Sequence, residues 1–230
     1  TFSLSEQVSC RLSSTLPISW RSRIDSMILS ILEPLKAPNT KRSRTIWETA
    51  LARQNKMITA KFKLKECVEE KEICIGTYHM PCLFRDPLVM IIHAALCAQN
   101  MQKFAKDNPY VLGGDFNFDP TTPAYSLYKD GKIDKYKFNV KKRGEKWSPN
   151  LSSSMESAYK AANGREPEFT NFPAIRHYFC AVLDYLFFSP TSLRVDSTIC
   201  LPTKTNSSSM PSQHEPSDHL LIGAVFEEKQ

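Results

Sequence analysis

Four short stretches of the sequence place acidic, amide or imidazole side chains at the end of an apolar run. They are TYHMP with His79, GGDFN with Asp115 and Asn117, LDYLF with Asp184, and PSDHL with Asp218 and His219. Sheet enzymes tend to place binding and catalytic groups at such strand ends. Each stretch taken alone is explained as well by a core histidine, an Asx turn, a buried acceptor or a cap.

Taken together, these side chains favour phosphate chemistry. Carboxylate and amide oxygens are the ligands that Mg²⁺ prefers, and the bound ion keeps waters that can attack phosphorus. A histidine paired with an aspartate adds a proton donor or a phosphate contact. The set predicts a phosphoester hydrolase that uses Mg²⁺ or Mn²⁺.

The order and wording of the four stretches resemble the endonuclease/exonuclease/phosphatase family, whose fold is related to DNase I. The family signatures TxH, GDFN, LDYIF and SDH are matched in order over residues 51–229. The resemblance implies a single domain over residues 1–230 with an α+β fold, a four-layer α/β/β/α sandwich of two mixed sheets flanked by helices. SAY at 157–159, EFTNF at 168–172 and RQN at 53–55 are similar to the deadenylase-type branch, which includes the Ccr4 and Angel proteins.

The resemblance implies a catalytic role for five residues. Asp115 would orient or deprotonate the attacking water, while Asn117 would hold water and the metal-bound phosphate in line. His79 and His219 would contact phosphate oxygens. Asp184 would fix the tautomer of His219 and raise its basicity.

Metal and substrate contacts are implied in the same way. Asp218 and Asn117 would hold the metal, directly or through water. Asn55, in RQN, would contact the substrate. Phe179 matches an aromatic residue that stacks on the terminal adenine, and a core phenylalanine is the alternative interpretation.

The N-terminal part departs from the family pattern. Family members have an early strand that ends in asparagine and a later strand whose final glutamate is the principal Mg²⁺ ligand. Here Ser3 stands at the asparagine position, and the fold is expected to be incomplete near residues 33–50, where Glu33 and Glu48 end no apolar strand. Either a segment is missing from this chain, or the protein is a degenerate relative that binds without cleaving.

Strands and helices are predicted around the four stretches. Strands are predicted at NKMITAKFKL, EICIGTYHM, YVLGGDFNF, VLDYLFFS and LLIGAVFEE. A helix stripe is predicted over SWRSRIDSMILSIL, and a second helix from Asp86 and Pro87 to Asn108. SSSMESAYKAANG is predicted to be a short helix that ends at Gly164, and residues 129–149 a long surface segment.

Composition excludes a membrane span and is compatible with a polyanionic partner. No apolar run approaches the ~20 residues that a span requires. Eight Lys or Arg lie in residues 41–65 against one acid, and eight in residues 129–146 against three. Such clusters suit a polyanionic partner such as nucleic acid, and two solvated loops explain them equally well. The resemblance to the deadenylase-type branch implies that this partner is single-stranded RNA.

Cysteine usage points to a reducing compartment. Seven cysteines without a CxxC pair favour reduced, core-filling thiols and an intracellular location, without separating cytoplasm from nucleus. The start at Thr1, with no signal-peptide pattern, suggests a trimmed or incomplete sequence.

Three functions remain open at this level. The leading one is a Mg²⁺-dependent nuclease, a 3′-to-5′ exoribonuclease of deadenylase type. The second is a phosphatase or phosphodiesterase for a phosphoinositide, sphingolipid or nucleotide, because a fold does not decide among substrates. The third is a pseudoenzyme that keeps the scaffold and binds nucleic acid or protein.

Overall fold

The computed structural model describes residues 9–12, 30–32, 45–64, 71–133, 140–142, 145–174, 179–204, 208–213 and 215–229. The strands are β1 (Ser9–Leu12), β2 (Ser30–Leu32), β3 (Met57–Leu64), β4 (Lys71–Tyr78), β5 (Tyr110–Asp115), β6 (Val140–Lys142), β7 (Glu145–Trp147), β8 (Glu156–Ser157), β9 (Asp184–Phe188), β10 (Leu193–Thr198) and β11 (Gly223–Glu228). The helices are α1 (Ile46–Leu51), α2 (Pro87–Ala105), α3 (Pro123–Asp130) and α4 (Ala158–Asn163). None of these helices is both long and apolar enough to cross a membrane.

Within those ranges, the strands form two sheets and a small ribbon. The larger sheet has six strands in the order β2-β3-β4-β5-β9-β8, the smaller has the order β1-β11-β10, and β6 pairs with β7. In the larger sheet β4 and β5 run parallel, whereas β9 runs antiparallel to β5. The carboxyl ends of β4 and β5 therefore meet the amino end of β9 at one edge of the sheet.

Helix α2 connects the parallel strands β4 and β5 and lies against the larger sheet. Pro87 occupies its first turn as predicted, although the Asp86 side chain makes no capping hydrogen bond. The helix is buried on most sides because the sheet covers one face and α1 another, where Trp47 packs near Val89. Trp47 also meets Trp147 of the ribbon at 5.0 Å between ring centroids, which fixes α1 near the end of β7.

The opposite face of the larger sheet packs on the smaller sheet. Val111 and Leu186 contribute to this second core from one side, and Ala224 and Phe226 from the other. Side chains of adjacent strand residues point to opposite faces, so the central strands carry apolar residues at nearly every position. The predicted α+β sandwich is confirmed.

The structure confirms five predicted strands and the end of one predicted helix, and it shows that another predicted helix is wrong at its end. The strands around β3, β4, β5, β9 and β11 are confirmed, and Gly164 closes α4 at φ 73°. The helix predicted over SWRSRIDSMILSIL is wrong at its end, because Ser30–Leu32 is a strand that pairs with Met57–Thr59 of β3. A short apolar run is compatible with a helix or with a strand. Here the backbone groups of Ser30–Leu32 pair with the free edge of β3, which makes the segment a strand. The rest of that predicted helix lies outside the described residues.

Two other regions also differ from expectation. The described part of residues 129–149 holds the end of α3 and the strands β6 and β7, which were not predicted. The side chains of Lys129, Asp130 and Lys132 are exposed, as expected of a surface segment. Helix α3 and strand β10 were not predicted, although Thr122 and Pro123 are an ordinary cap and first turn. Cys74 and Cys97 are buried as expected, whereas Cys82 and Cys200 are exposed.

Candidate active site

The edge where β4, β5 and β9 meet carries most of the predicted catalytic residues. His79 follows the last residue of β4, and Asp115 is the last residue of β5. The backbone N–H of Met80 donates to the Asp115 carbonyl at 2.8 Å, which extends the pairing past the end of the strands. As a result, the His79 Nε2 lies 3.4 Å from the Asp115 Oδ2.

The sequence GGDFN is both a turn and part of the site. Gly114 has φ 144°, and a Cβ at this position would lie 2.1 Å from the Tyr78 carbonyl oxygen, so only glycine allows β4 and β5 to approach this closely. Asn117 adopts φ 51° and its backbone N–H donates to the Asp115 Oδ1 at 2.8 Å. Its side-chain Nδ2 donates to the Met80 carbonyl at 2.8 Å. The strand therefore ends at Asp115, and Asn117 lies in the turn that follows it.

Asp184 and His219 enter from the other side of the site. Asp184 begins β9 and pairs in register with Asp115 across the two strands. Its Oδ2 lies 2.9 Å from the Nδ1 of His219. The Nε2 of His219 lies 4.0 Å from the Asp115 Oδ2, so the imidazole bridges the two carboxyl groups.

Burial and charge shift the pKa values of two of these groups. Burial raises the pKa of the Asp115 carboxyl to about 6, and the nearby Asp184 charge adds to this effect. Burial lowers the pKa of the His219 imidazole, but the hydrogen bond to Asp184 and the surrounding carboxylates outweigh it and bring the pKa to about 9. At neutral pH a cationic His219 therefore faces an anionic Asp115, an arrangement suited to holding an anion and moving a proton.

Of the two predicted substrate contacts, Asn55 is joined to the site by a described hydrogen bond and Phe179 is not. The Asn55 Nδ2 donates to the His79 carbonyl at 2.8 Å, which joins the segment after α1 to the end of β4. Phe179 is 41% exposed, so it is not the core phenylalanine of the alternative interpretation. Nothing in the described contacts links Phe179 to the carboxylates, and its stacking role stays a prediction.

The predicted metal ligands are not gathered into a complete site by the described residues. Within the described ranges no group of three His, Cys, Asp or Glu side chains could hold a metal ion. Asp218 lies next to His219, and its Oδ2 is 3.4 Å from the Asn171 Nδ2. Asp115, Asn117 and Asp218 offer the hard oxygen donors that Mg²⁺ prefers, yet they do not by themselves complete a coordination shell.

The two acids considered in place of the missing glutamate have different outcomes. The Glu48 Oε2 accepts a hydrogen bond from the backbone N–H of Thr45 at 2.8 Å, and the Thr45 Oγ1 accepts from the Glu48 N–H. This capping box accounts for Glu48 as part of the start of α1. Glu33 lies outside the described residues.

Sequence reasoning missed two buried polar residues beside the site, Thr170 and Asn171. The Thr170 Oγ1 donates to the Asp184 Oδ2 at 2.7 Å. The Asn171 Nδ2 donates to the Asp218 carbonyl at 3.1 Å. Both lie in EFTNF, which had marked only the branch of the family. The sequence signal that could have identified them is a pair of polar residues between two phenylalanines. Polar side chains that are buried with such neighbours need hydrogen-bond partners, which here are groups of the site.

Comparison with known proteins agrees with this fold. Residues 41–219 match the profile of the Endonuclease/Exonuclease/phosphatase family. A crystal structure titled ANGEL2, a 2′,3′-cyclic phosphatase, superposes with a TM-score of 0.66 at 21% identity, covering 86% of this chain and 65% of the other. The chain therefore belongs to the endonuclease/exonuclease/phosphatase family, with a DNase I-like fold.

Curated relatives place the chain more finely. The 2′,5′-phosphodiesterase 12 of Bos taurus is 29% identical over 159 residues, which are 66% of this chain and 26% of that protein. The CCR4-Not complex 3′-5′-exoribonuclease subunit Ccr4 of Aspergillus fumigatus is 32% identical over 140 residues, 56% of this chain and 19% of that protein. Within the family the chain falls in the deadenylase-type branch. It spans about a quarter or less of the length of these two relatives.

Proposed function

We propose that this chain is the catalytic part of a hydrolase that cleaves phosphodiester bonds in RNA, removing nucleotides from the 3′ end. The observation that carries the proposal is the convergence of two histidines on one buried carboxyl. The Asp115 Oδ2 lies 3.4 Å from the His79 Nε2 and 4.0 Å from the His219 Nε2. A phosphate between the two imidazoles would lie beside a base for the attacking water.

In this proposal each side chain supplies alignment or charge. Asp115 takes the proton of the attacking water, for which its raised pKa of about 6 makes it a stronger base than an exposed aspartate. His79 and His219 donate hydrogen bonds to phosphate oxygens as negative charge develops. Asn117, held by Asp115 and Met80, keeps the water in line with the phosphorus.

RNA is proposed as the substrate on two grounds. The names of the two relatives, a 2′,5′-phosphodiesterase and a 3′-5′-exoribonuclease, both describe cleavage of phosphodiester bonds, and the second refers to RNA. Phe179 presents an exposed aromatic face, and stacking of a base on such a ring stabilises binding by about 1–3 kcal/mol. Mg²⁺, or Mn²⁺ in its place, is proposed as the cofactor.

The test is cleavage of labelled oligoadenylate by the wild-type chain and by Asp115→Asn. Loss of the base should lower kcat by about 100- to 10,000-fold, and the product ladder should shorten from the 3′ end. Asp130→Asn, an exposed aspartate at the end of α3, serves as the control and should retain activity. Equal activity of wild type and Asp115→Asn would contradict the proposal.

The same assay separates the other candidate functions. Adenosine 2′,3′-cyclic phosphate, a phosphoinositide and an RNA oligonucleotide are compared at equal concentration. Turnover of a small phosphoester without cleavage of RNA would assign the second function. Absence of turnover on all substrates with retained RNA binding would indicate a pseudoenzyme.

A further inference from the structure

Thr170 is completely buried beside the catalytic pair Asp184 and His219, and its hydroxyl makes three hydrogen bonds. Its Oγ1 accepts from the backbone N–H groups of Leu183 and Asp184, both at 2.9 Å. The same oxygen lies 2.7 Å from the Asp184 Oδ2. A hydroxyl has two acceptor lone pairs and one proton, so the two N–H groups occupy the lone pairs and the proton points to the carboxylate.

The direction of the Thr170 O–H bond determines which hydrogen bonds the Asp184 carboxylate makes. Its Oδ2 accepts one hydrogen bond from Thr170 and lies 2.9 Å from the His219 Nδ1. A carboxylate oxygen that accepts from a hydroxyl carries no proton of its own, so it can only accept from the Nδ1 of His219 as well. The Nδ1 therefore carries a proton whether the ring is neutral or charged. The Nε2 is then the nitrogen that faces Asp115 and the cleft.

The threonine also connects the two strands that carry the acids. The Leu183 N–H is bound by Thr170, and the Leu183 carbonyl accepts from the Phe116 N–H at 2.9 Å. Phe116 directly follows Asp115. The turn into β9 is therefore fixed on one side by a side chain and on the other by the residue after the proposed base.

We propose that Thr170 is a positioning residue, whose hydroxyl aims the Asp184 carboxylate at His219 and thereby directs the Nε2 of His219 into the cleft. The inference rests on the proposed function for its effect on catalysis. Its effect on the hydrogen bond between His219 and Asp184 is independent of any activity. Thr170 acts through Asp184 and does not touch the reacting atoms.

The test compares Thr170→Val, which keeps the shape and removes the hydroxyl, with Thr170→Ser, which keeps the hydroxyl and removes a methyl group. Thr170→Val should lower kcat on oligoadenylate by about 10- to 100-fold with little change in KM, as for other residues that orient a catalytic ligand. Thr170→Ser should restore most of kcat. Thr59→Val, which removes a buried threonine hydroxyl from β3, is the matched control and should retain kcat.

A spectroscopic measurement tests the same hydrogen bond without turnover. In histidine-labelled, EDTA-treated protein at neutral pH, the Nδ1–H proton of His219 should give a far-downfield resonance, assigned by its loss in His219→Gln. Thr170→Ser should keep this resonance, and Thr170→Val should shift it upfield or broaden it. If Thr170→Val does not fold, Thr170→Cys replaces it, because a thiol is a weaker hydrogen-bonding group, and the same direction of change is expected.

The outcomes separate the two claims. An unchanged resonance and unchanged kcat in Thr170→Val, or failure of Thr170→Ser to restore kcat, would overturn the role of Thr170. An inactive wild type with a resonance that depends on the Thr170 hydroxyl would overturn the proposed function and leave the positioning role supported.

Discussion

At the scale of single residues, the site depends on side chains held in one orientation each. Asp115 accepts from the backbone and side chain of Asn117, and the Asn117 side chain also donates to the Met80 carbonyl. Such satisfied, partly buried groups lose little entropy when substrate binds, because they are already ordered. His219, whose pKa of about 9 keeps its imidazole cationic at neutral pH, supplies positive charge beside Asp115.

Phe179 gives a prediction at this scale. If a base stacks on its exposed ring, Phe179→Ala should raise KM for oligoadenylate by roughly 5- to 150-fold, with kcat much less affected. Phe179→Trp should restore binding, since stacking tolerates another aromatic ring. Ile58→Ala, which removes a comparably exposed apolar side chain from β3, is the control. An unchanged KM in Phe179→Ala, measured by initial rates, would exclude the stacking role.

At the scale of elements, the close approach of β4 and β5 places His79 beside Asp115. Gly114→Ala would bring a Cβ within 2.1 Å of the Tyr78 carbonyl oxygen at φ 144°, so the strands must separate. We expect a loss of about 2–4 kcal/mol in unfolding free energy, measured by urea denaturation. Gly164→Ala is the control, because φ is 73° there and nothing lies within 4 Å. Its cost should be about 1–2 kcal/mol, and an equal cost at both glycines would contradict the steric argument.

The helices α1 and α2 are joined to β4 by a half-buried histidine, His93. The His93 Nε2 lies 3.1 Å from the Ala50 carbonyl, and its Nδ1 lies 2.8 Å from the Tyr78 hydroxyl. A carbonyl only accepts, so Nε2 carries the proton and, in the neutral ring, Nδ1 accepts from Tyr78. Burial lowers the pKa of His93 to about 4.

This depressed pKa predicts a pH dependence of stability. An unfolded histidine has a pKa of about 6.5, so between that value and about 4 the unfolded chain binds more protons than the folded one. The unfolding free energy should fall as the pH is lowered through this window, by up to about 3 kcal/mol from His93. The measurement is urea denaturation of wild type and His93→Gln across the window. The difference between the two proteins should change with pH, and parallel curves would contradict the assignment.

At the scale of the whole molecule, binding of the proposed cofactor Mg²⁺ should be measurable as a change in stability. The described residues offer oxygen donors without a complete shell, and the chain spans 26% of the first curated relative. If Asp218 and Asn117 hold Mg²⁺, the ion should stabilise the folded state by about 2.7 kcal/mol at a hundredfold excess over Kd.

Thermal unfolding at matched ionic strength measures this effect. Mg²⁺ should raise Tm relative to EDTA, and Asp218→Asn should reduce the increase. Oligoadenylate cleavage should stop in EDTA and return with Mg²⁺ or Mn²⁺. A Tm unaffected by Mg²⁺ in the wild type would favour the degenerate, binding-only relative.

The local chemistry of the site could be predicted from the sequence. Alternation and apolar runs identified β3, β4, β5 and β9, and the strand ends identified His79, Asp115 and Asp184 as candidates. These predictions succeeded because side-chain periodicity and turn preferences are properties of neighbouring residues. The same local patterns gave the wrong element at Ser30–Leu32, because a segment this short with two apolar residues suits a helix or a strand equally.

The tertiary structure decided the rest, because it brings together residues far apart in the chain. Pairing of β5 with both β4 and β9 places Asp115 near His79 on one side and Asp184 on the other. Only that juxtaposition raises the pKa of Asp115 and of His219, since charge and burial act through space. The role proposed for Thr170 also depends on the tertiary structure. The sequence shows only a threonine between phenylalanines, whereas the fold brings its hydroxyl within hydrogen-bond distance of the Asp184 carboxylate.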